Sequence, residues 1–92
     1  MSIINRTEIL KLFVDTIKKH PEVDLKIVAN LYVNHKIIND MIEVEGVCES
    51  DARRKGNALQ PEVERVLIQE ALKLSKSGAF DFDRKNMIIK RK

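Results

Sequence analysis

Residues 24–45 contain neither Gly nor Pro, and their apolar side chains recur at helical spacing. Such periodicity predicts helix over the whole stretch. The helix is either continuous, with a bend, or broken in two near Asn34-His35; because neither residue is a strong helix breaker, we favour one helix. Gly46 follows as its natural stop. The apolar positions form two neighbouring stripes, Ile27, Leu31, Ile38 and Ile42 on one and Val33, Ile37, Met41 and Val44 on the other.

A second helix is predicted over residues 6–19. Asn5 is a favourable N-cap, and Glu8 stands at the third helical position, where it completes a capping box. The apolar residues that follow recur at helical spacing. Pro21 stands just after this stretch and cannot easily continue the helix.

Residues 46–60 predict a short helix, and the residues after them predict a long one. Ser50 can cap the short helix, which Gly56 and the following Asn would end. Pro61 then opens the last main helix at the position where proline is most favourable. Gly78 marks its end.

Beyond Gly78 the period changes from helical to alternating. Phe80 and Phe82 alternate with aspartates, and Met87 and Ile89 alternate with other residues. This pattern predicts a β-hairpin, which would have to pack on the helices because an isolated hairpin is marginally stable. The alternative is a frayed terminus. The fold class predicted for residues 1–92 is therefore a single all-α domain, a bundle of three main helices plus a short helix, closed by this hairpin.

Length and composition indicate the number of domains, the redox compartment and whether a membrane span is to be expected. With 92 residues, the chain makes one small domain, which is often marginally stable as a monomer. The single cysteine, Cys48, cannot form an internal disulfide, which indicates a reducing compartment, the cytoplasm. No apolar run approaches the roughly 18 residues that cross a bilayer, so we expect no membrane span.

The sequence contains no recognisable pattern of catalytic or metal-binding residues. His20, His35 and Cys48 show no recognised metal-ligand spacing, and no glycine-rich loop that would cradle a phosphate is present. A nucleophilic role for Cys48 has no support from neighbouring residues, and a small buried cysteine is the simpler interpretation. We therefore expect a non-enzymatic protein with no catalytic residues, no cofactor and no metal.

One segment carries a resemblance. "MIEVEGVCESDARRKGNAL", residues 41–59, resembles the turn and recognition helix of helix-turn-helix transcriptional regulators. The resemblance implies that Gly46 and Val47 form the turn and that Ala52 faces inward. It also implies a transcriptional regulator that binds double-stranded DNA through exposed side chains, of which we take as candidates Ser50, Arg53, Arg54 and Lys55.

The net charge of +3 is concentrated near the C-terminus, where residues 84–92 hold five cations and no acid. Such clusters attract phosphate backbones. In a winged version of the resemblance, Arg84 and Lys85 would sit at the hairpin tip, with Lys90, Arg91 and Lys92 on the returning strand. As flexible point charges, these last three would contact phosphate without reading the base sequence. The alternative is a solubilising tail.

The rival functional interpretation is a helical adaptor or inhibitor that binds a protein through an apolar helix face. Two apolar stripes on one helix exceed what a short bundle needs to bury. The second stripe, Val33, Ile37, Met41 and Val44, is therefore predicted as a homodimer or partner interface. The alternative is that both stripes belong to the core, with one helix packed on each side.

Overall fold

The computed structural model describes residues 4–92. Its elements in chain order are α1 (Arg6–Lys19), β1 (Glu22–Asp24), α2 (Leu25–Tyr32), a π-helical segment (Val33–Ile38), α3 (Asn39–Glu43), α4 (Glu49–Lys76), β2 (Phe80–Asp83) and β3 (Ile88–Arg91). We call α2, the π segment and α3 together the central helix, because they follow one another without a break. The fold is mostly helical with a small antiparallel sheet. The predicted mostly helical domain is therefore confirmed, whereas the all-α class is too narrow, because the predicted hairpin belongs to a three-stranded sheet.

Helix α1 has the predicted bounds. The Asn5 side-chain oxygen accepts a hydrogen bond from the Glu8 backbone N–H at 3.2 Å, so the predicted cap is confirmed. One face of the helix is buried, through Ile9, Phe13 and Ile17. Because these residues are four apart, they form a single stripe that packs on the rest of the chain.

The central helix is continuous, as favoured from the sequence, but its middle is π-helical. A Cβ placed on Gly56 of α4 would lie 2.4 Å from Ile38 and 3.4 Å from Val33. Residues five apart on the central helix therefore face the same point of α4, which the wider π turn allows.

Helix α4 contradicts the prediction of a short helix followed by a second one. It runs unbroken for 28 residues with Gly56 and Pro61 inside it. Gly56 is buried against Ile38, so its lack of a side chain permits close helix packing and does not end the helix. The cap is Cys48, whose side chain makes no capping bond, and not Ser50 as predicted. Tertiary packing thus outweighs two local breaker signals.

The sheet has the strand order β1-β3-β2, with both ladders antiparallel. The predicted C-terminal hairpin is confirmed as β2 and β3. Strand β1 was missed, and it pairs with β3 so that β3 is the middle strand. The Leu25 N–H donates to the Met87 carbonyl at 2.8 Å, which ties the hairpin turn to the start of the central helix.

The predicted interface stripe on the central helix lies mostly inside the molecule. Val33, Ile37 and Met41 are 0, 2 and 3% exposed, because α4 covers them, while Val44 is 79% exposed. The first three cannot meet a second chain, and for them the alternative of a core position is correct. The exposed apolar residues of this helix are Ile27 and Leu31, from the other stripe.

Candidate functional site

The residues predicted to read DNA lie on the first turns of α4. Ser50, Arg53, Arg54 and Lys55 are all exposed. However, the Arg53 guanidinium lies 3.0 Å from the Glu49 carboxylate, and that of Arg54 lies 3.3 Å from Asp51. Of these three cations, Lys55 alone has no carboxylate of residues 4–92 at ion-pair distance. Two of the three cations in this cluster are therefore already paired.

Lys90 and Arg91 lie on β3, the returning strand of the hairpin as the winged version expects, and Lys92 follows directly; they do not form the flexible extension that was also expected. The Lys90 ammonium lies 3.9 Å from the Glu22 carboxylate, and the Lys92 ammonium lies 3.5 Å from that of Asp81. The Arg91 guanidinium donates to the Ile17 carbonyl at the end of α1. Lys90 and Lys92 therefore pair with carboxylates of the sheet, whereas Arg91 links the sheet to α1. In the β2–β3 turn, Arg84 and Lys85 remain exposed without an ion pair in the described chain.

The two basic regions, at the start of α4 and at the β2–β3 turn, do not lie side by side in the structure. Leu25 contacts the hairpin turn, whereas Ile38 contacts α4 beside Lys55. These two contacts are thirteen residues apart on the central helix, which corresponds to about 20 Å.

The solvent face of the sheet carries more acidic than basic side chains. The register places Lys90 between Glu22 and Asp81, and places Ile88 between Asp24 and Asp83. Because the carboxylates outnumber the cations, this face repels a phosphate backbone.

A different surface combines exposed apolar groups with a concave shape. It is a groove of about 310 Å³ between α1 and the central helix, and we call it the α1–α2 groove. Leu12 is half-buried on one side, and Leu31 is 41% exposed on the other. Ile27, one turn before Leu31, is 60% exposed and extends the apolar surface. The residues that line the groove are Glu8, Leu12, Leu31, Tyr32, His35 and Lys36.

Tyr32 forms the floor of the groove. Its ring is buried, and its hydroxyl accepts a hydrogen bond from the Asn5 backbone N–H at 3.1 Å. Burial raises the pKa of Tyr32, and the nearby Glu8 carboxylate raises it further, whereas the bond from Asn5 acts in the opposite direction. The neutral phenol therefore links the start of α1 to the central helix and fixes the spacing of the two helices.

The rim at one end of the groove is charged. Glu8 stands on α1, and His35 and Lys36 stand opposite it on the π segment. All three are exposed, and none of them forms an ion pair within the described residues. π-Helical turns occur often at functional sites, and here the turn presents polar side chains beside an apolar surface.

This groove has no direct signature in the amino-acid sequence. Leu12 lies outside the core stripe of α1 and was not singled out. Ile27 and Leu31 were assigned to a stripe together with Ile38, which is buried at 4% exposure. The available signal was that Leu12 lies three residues after Ile9 of the buried stripe, so it falls on that stripe's edge.

Within residues 4–92, no three His, Cys, Asp or Glu side chains converge where they could hold a metal ion. No helix in that part of the chain is both long enough and apolar enough to cross a membrane. Comparison with protein-family models, curated proteins and solved structures found no match for this chain.

Proposed function

We propose that this chain is a non-enzymatic protein-recognition module, which binds the apolar face of a partner helix in the α1–α2 groove. The observation that carries the proposal is the exposure of Leu31 and Ile27, 41% and 60%, beside the half-buried Leu12. A groove between two helices with an apolar floor is a common receptor for an amphipathic helix.

The size of the groove sets the size of the partner. From Ile27 to His35 the central helix advances eight residues, or about 12 Å. A partner helix therefore contacts it over about two turns, with apolar side chains three or four residues apart. Each large apolar side chain fully buried there contributes roughly 1.5–3 kcal/mol before the costs of association.

A displayed library of amphipathic helical peptides tests this proposal. We expect selection on the wild-type protein to enrich peptides with large apolar residues on one face. The Leu31→Asp variant should lose their binding, since a carboxylate would enter the apolar groove. Val14→Asp is the matched control, because Val14 is 42% exposed and stands on the other flank of α1.

Two results would contradict the proposal. One is peptide binding that survives Leu31→Asp, and the other is equal loss in both variants. Circular dichroism of each variant verifies that the fold is retained. Because both positions are already partly exposed, we expect both variants to fold.

DNA binding is the second candidate function, and the helix-turn-helix resemblance motivates it. Among the cations predicted to contact DNA, Lys55, Arg84 and Lys85 support it, because they have neither a carboxylate partner nor a backbone acceptor in the described chain. With three phosphate contacts, the logarithm of the binding constant should fall against the logarithm of salt concentration with a slope of about −3. Fluorescence anisotropy with a labelled duplex at 20–200 mM salt measures this slope. No binding at the lowest salt would remove this candidate.

We also propose that the protein resides in the cytoplasm. Cys48 is a free thiol, and it is exposed on the turn before α4. An exposed thiol persists most readily where glutathione keeps thiols reduced. Alkylation of Cys48 in intact cells, read by mass spectrometry, would test this placement, and a mixed disulfide in most molecules would contradict it.

A further inference from the structure

We infer that the occupant of the α1–α2 groove is the same groove of a second copy of this chain, so that two copies form a two-fold symmetric four-helix arrangement. This inference rests on the proposed function of the groove. The proposed dimer surface is thus an exposed face, and not the stripe of the central helix that was predicted from the sequence and is mostly buried. Charged and apolar groups are distributed over that face so that it complements itself.

Each end of the face carries one acidic and one basic position. At the first end, Glu8 of α1 stands opposite Lys36 of the π segment. At the other end, helical spacing from Leu12 places Lys19 on the same side of α1, and Asp24 stands at the junction of the sheet and α2, where its carboxylate also accepts the capping hydrogen bond from the Lys26 N–H. Ile27, Leu31 and Leu12 lie between the two ends, and the exposed Asp15, three residues after Leu12, borders them, so the face has a mostly apolar middle and two mixed-charge ends.

Such a face is complementary to itself under two-fold symmetry. If the axis runs along the helices, Glu8 of one copy lies over Lys36 of the other, and Lys19 lies over Asp24. If the axis runs across the helices, Glu8 of one copy lies over Lys19 of the other. In both cases an acid meets a base, while the apolar middles meet each other. A rim of one sign would instead repel its own copy.

The face is small for a dimer, which sets the expected strength. Helix α1 has 14 residues and is therefore about 21 Å long, and two neighbouring helices are about 20 Å wide. The footprint on each copy is then about 400 Å², below the roughly 800 Å² per partner of a standard stable interface. We therefore expect a reversible dimer with a dissociation constant in the micromolar range.

Sedimentation equilibrium of the full chain at about 5–500 µM tests the inference. The wild-type protein should change from mostly monomer to mostly dimer across this range. Leu31→Asp and Ile27→Lys should weaken the dimer at least tenfold, whereas Val14→Asp should dimerise like the wild type. A wild-type monomer at 500 µM would overturn the inference, as would a Leu31→Asp variant that still dimerises.

Charge reversal supplies an independent test and identifies the axis. Glu8→Lys alone should weaken the dimer several-fold, because like charges then meet. The double variant Glu8→Lys with Lys36→Glu should restore it if the axis runs along the helices. Glu8→Lys with Lys19→Glu should restore it if the axis runs across them. Restoration by neither double variant would overturn the paired arrangement.

Failure of this inference can be distinguished from failure of the proposed function. A monomeric wild-type protein that still binds selected helical peptides through Leu31 would leave the groove as a receptor, with a different partner. A protein that neither dimerises nor binds any peptide through Leu31 would remove both. A Leu31-dependent dimer that binds no peptide would restrict the groove to self-association.

Discussion

Replacement of Gly56 by alanine should destabilise the protein, although alanine is the better helix former. In an exposed helix the change from Gly to Ala stabilises by about 1 kcal/mol. Here the added Cβ would lie 2.4 Å from Cγ1 of Ile38 and 3.0 Å from its Cδ1. Ordinary carbon contacts are about 3.5–4.0 Å, so the two helices or the Ile38 side chain must move by about 1 Å.

The magnitude follows from two opposing contributions. Overpacking of a well-packed core costs typically 1–3 kcal/mol, and we take the upper end because Ile38 is β-branched and has few rotamers in a helix. The gain in helix propensity offsets about 1 kcal/mol of this. The net loss in free energy of unfolding should thus be about 2 kcal/mol, measured by urea denaturation followed by circular dichroism at 222 nm.

A double-mutant cycle isolates the contact. Ile38→Ala should cost about 2–5 kcal/mol by itself, because Ile38 is buried. In that background Gly56→Ala should become stabilising by about 1 kcal/mol, since the clash is gone and only propensity remains. Ala58→Gly, on the exposed side of the same helix, measures that propensity directly. A Gly56→Ala variant that is as stable as the wild type would refute the packing argument.

Two other variants test neighbouring conclusions. Pro61→Ala should stabilise the protein by about 1–3 kcal/mol, because Pro61 is exposed inside α4 and its ring excludes one helical hydrogen bond; urea denaturation would show it. Tyr32 is the only tyrosine, so absorbance at 295 nm should follow its ionisation alone and give a pKa above the usual value of about 10. Because the folded-state pKa of Tyr32 is raised, the contribution of its neutral phenol to the free energy of unfolding is complete below about pH 10 and is lost as the pH rises through the folded-state pKa. The Tyr32→Phe variant should therefore lose less stability at alkaline pH than the wild type.

Local chemistry explains which elements were predictable. Helix α1 carries its own cap and stop, so its bounds follow from residues within a few positions of each end. The β2–β3 hairpin has clear alternation around a turn. In contrast, β1 has three residues, Glu22, Val23 and Asp24, which give no usable period. It becomes a strand because β3 pairs with it.

Helix α4 and the π segment depend on contacts that no local window contains. From the local sequence, Gly56 is expected to break the helix, whereas the structure shows that it accommodates Ile38 of the central helix. The π turn shifts the central helix out of the 3.6-residue period, so a stripe drawn at that period through Leu31 and Ile38 mixes exposed and buried residues. The groove was missed for the same reason: which apolar residues remain exposed depends on where α4 lies.

The middle position of β3 bears on how the chain folds. The β2–β3 hairpin closes over a few residues, but the other ladder pairs Glu22 with Lys90, 68 positions later. Closing that longer loop costs roughly 2.5 kcal/mol more in chain entropy than closing a four-residue turn. We therefore expect the helices and the hairpin to form early and β1 to join last. During synthesis, the segment of residues 22–24 must wait as an unpaired edge until β3 has left the ribosome.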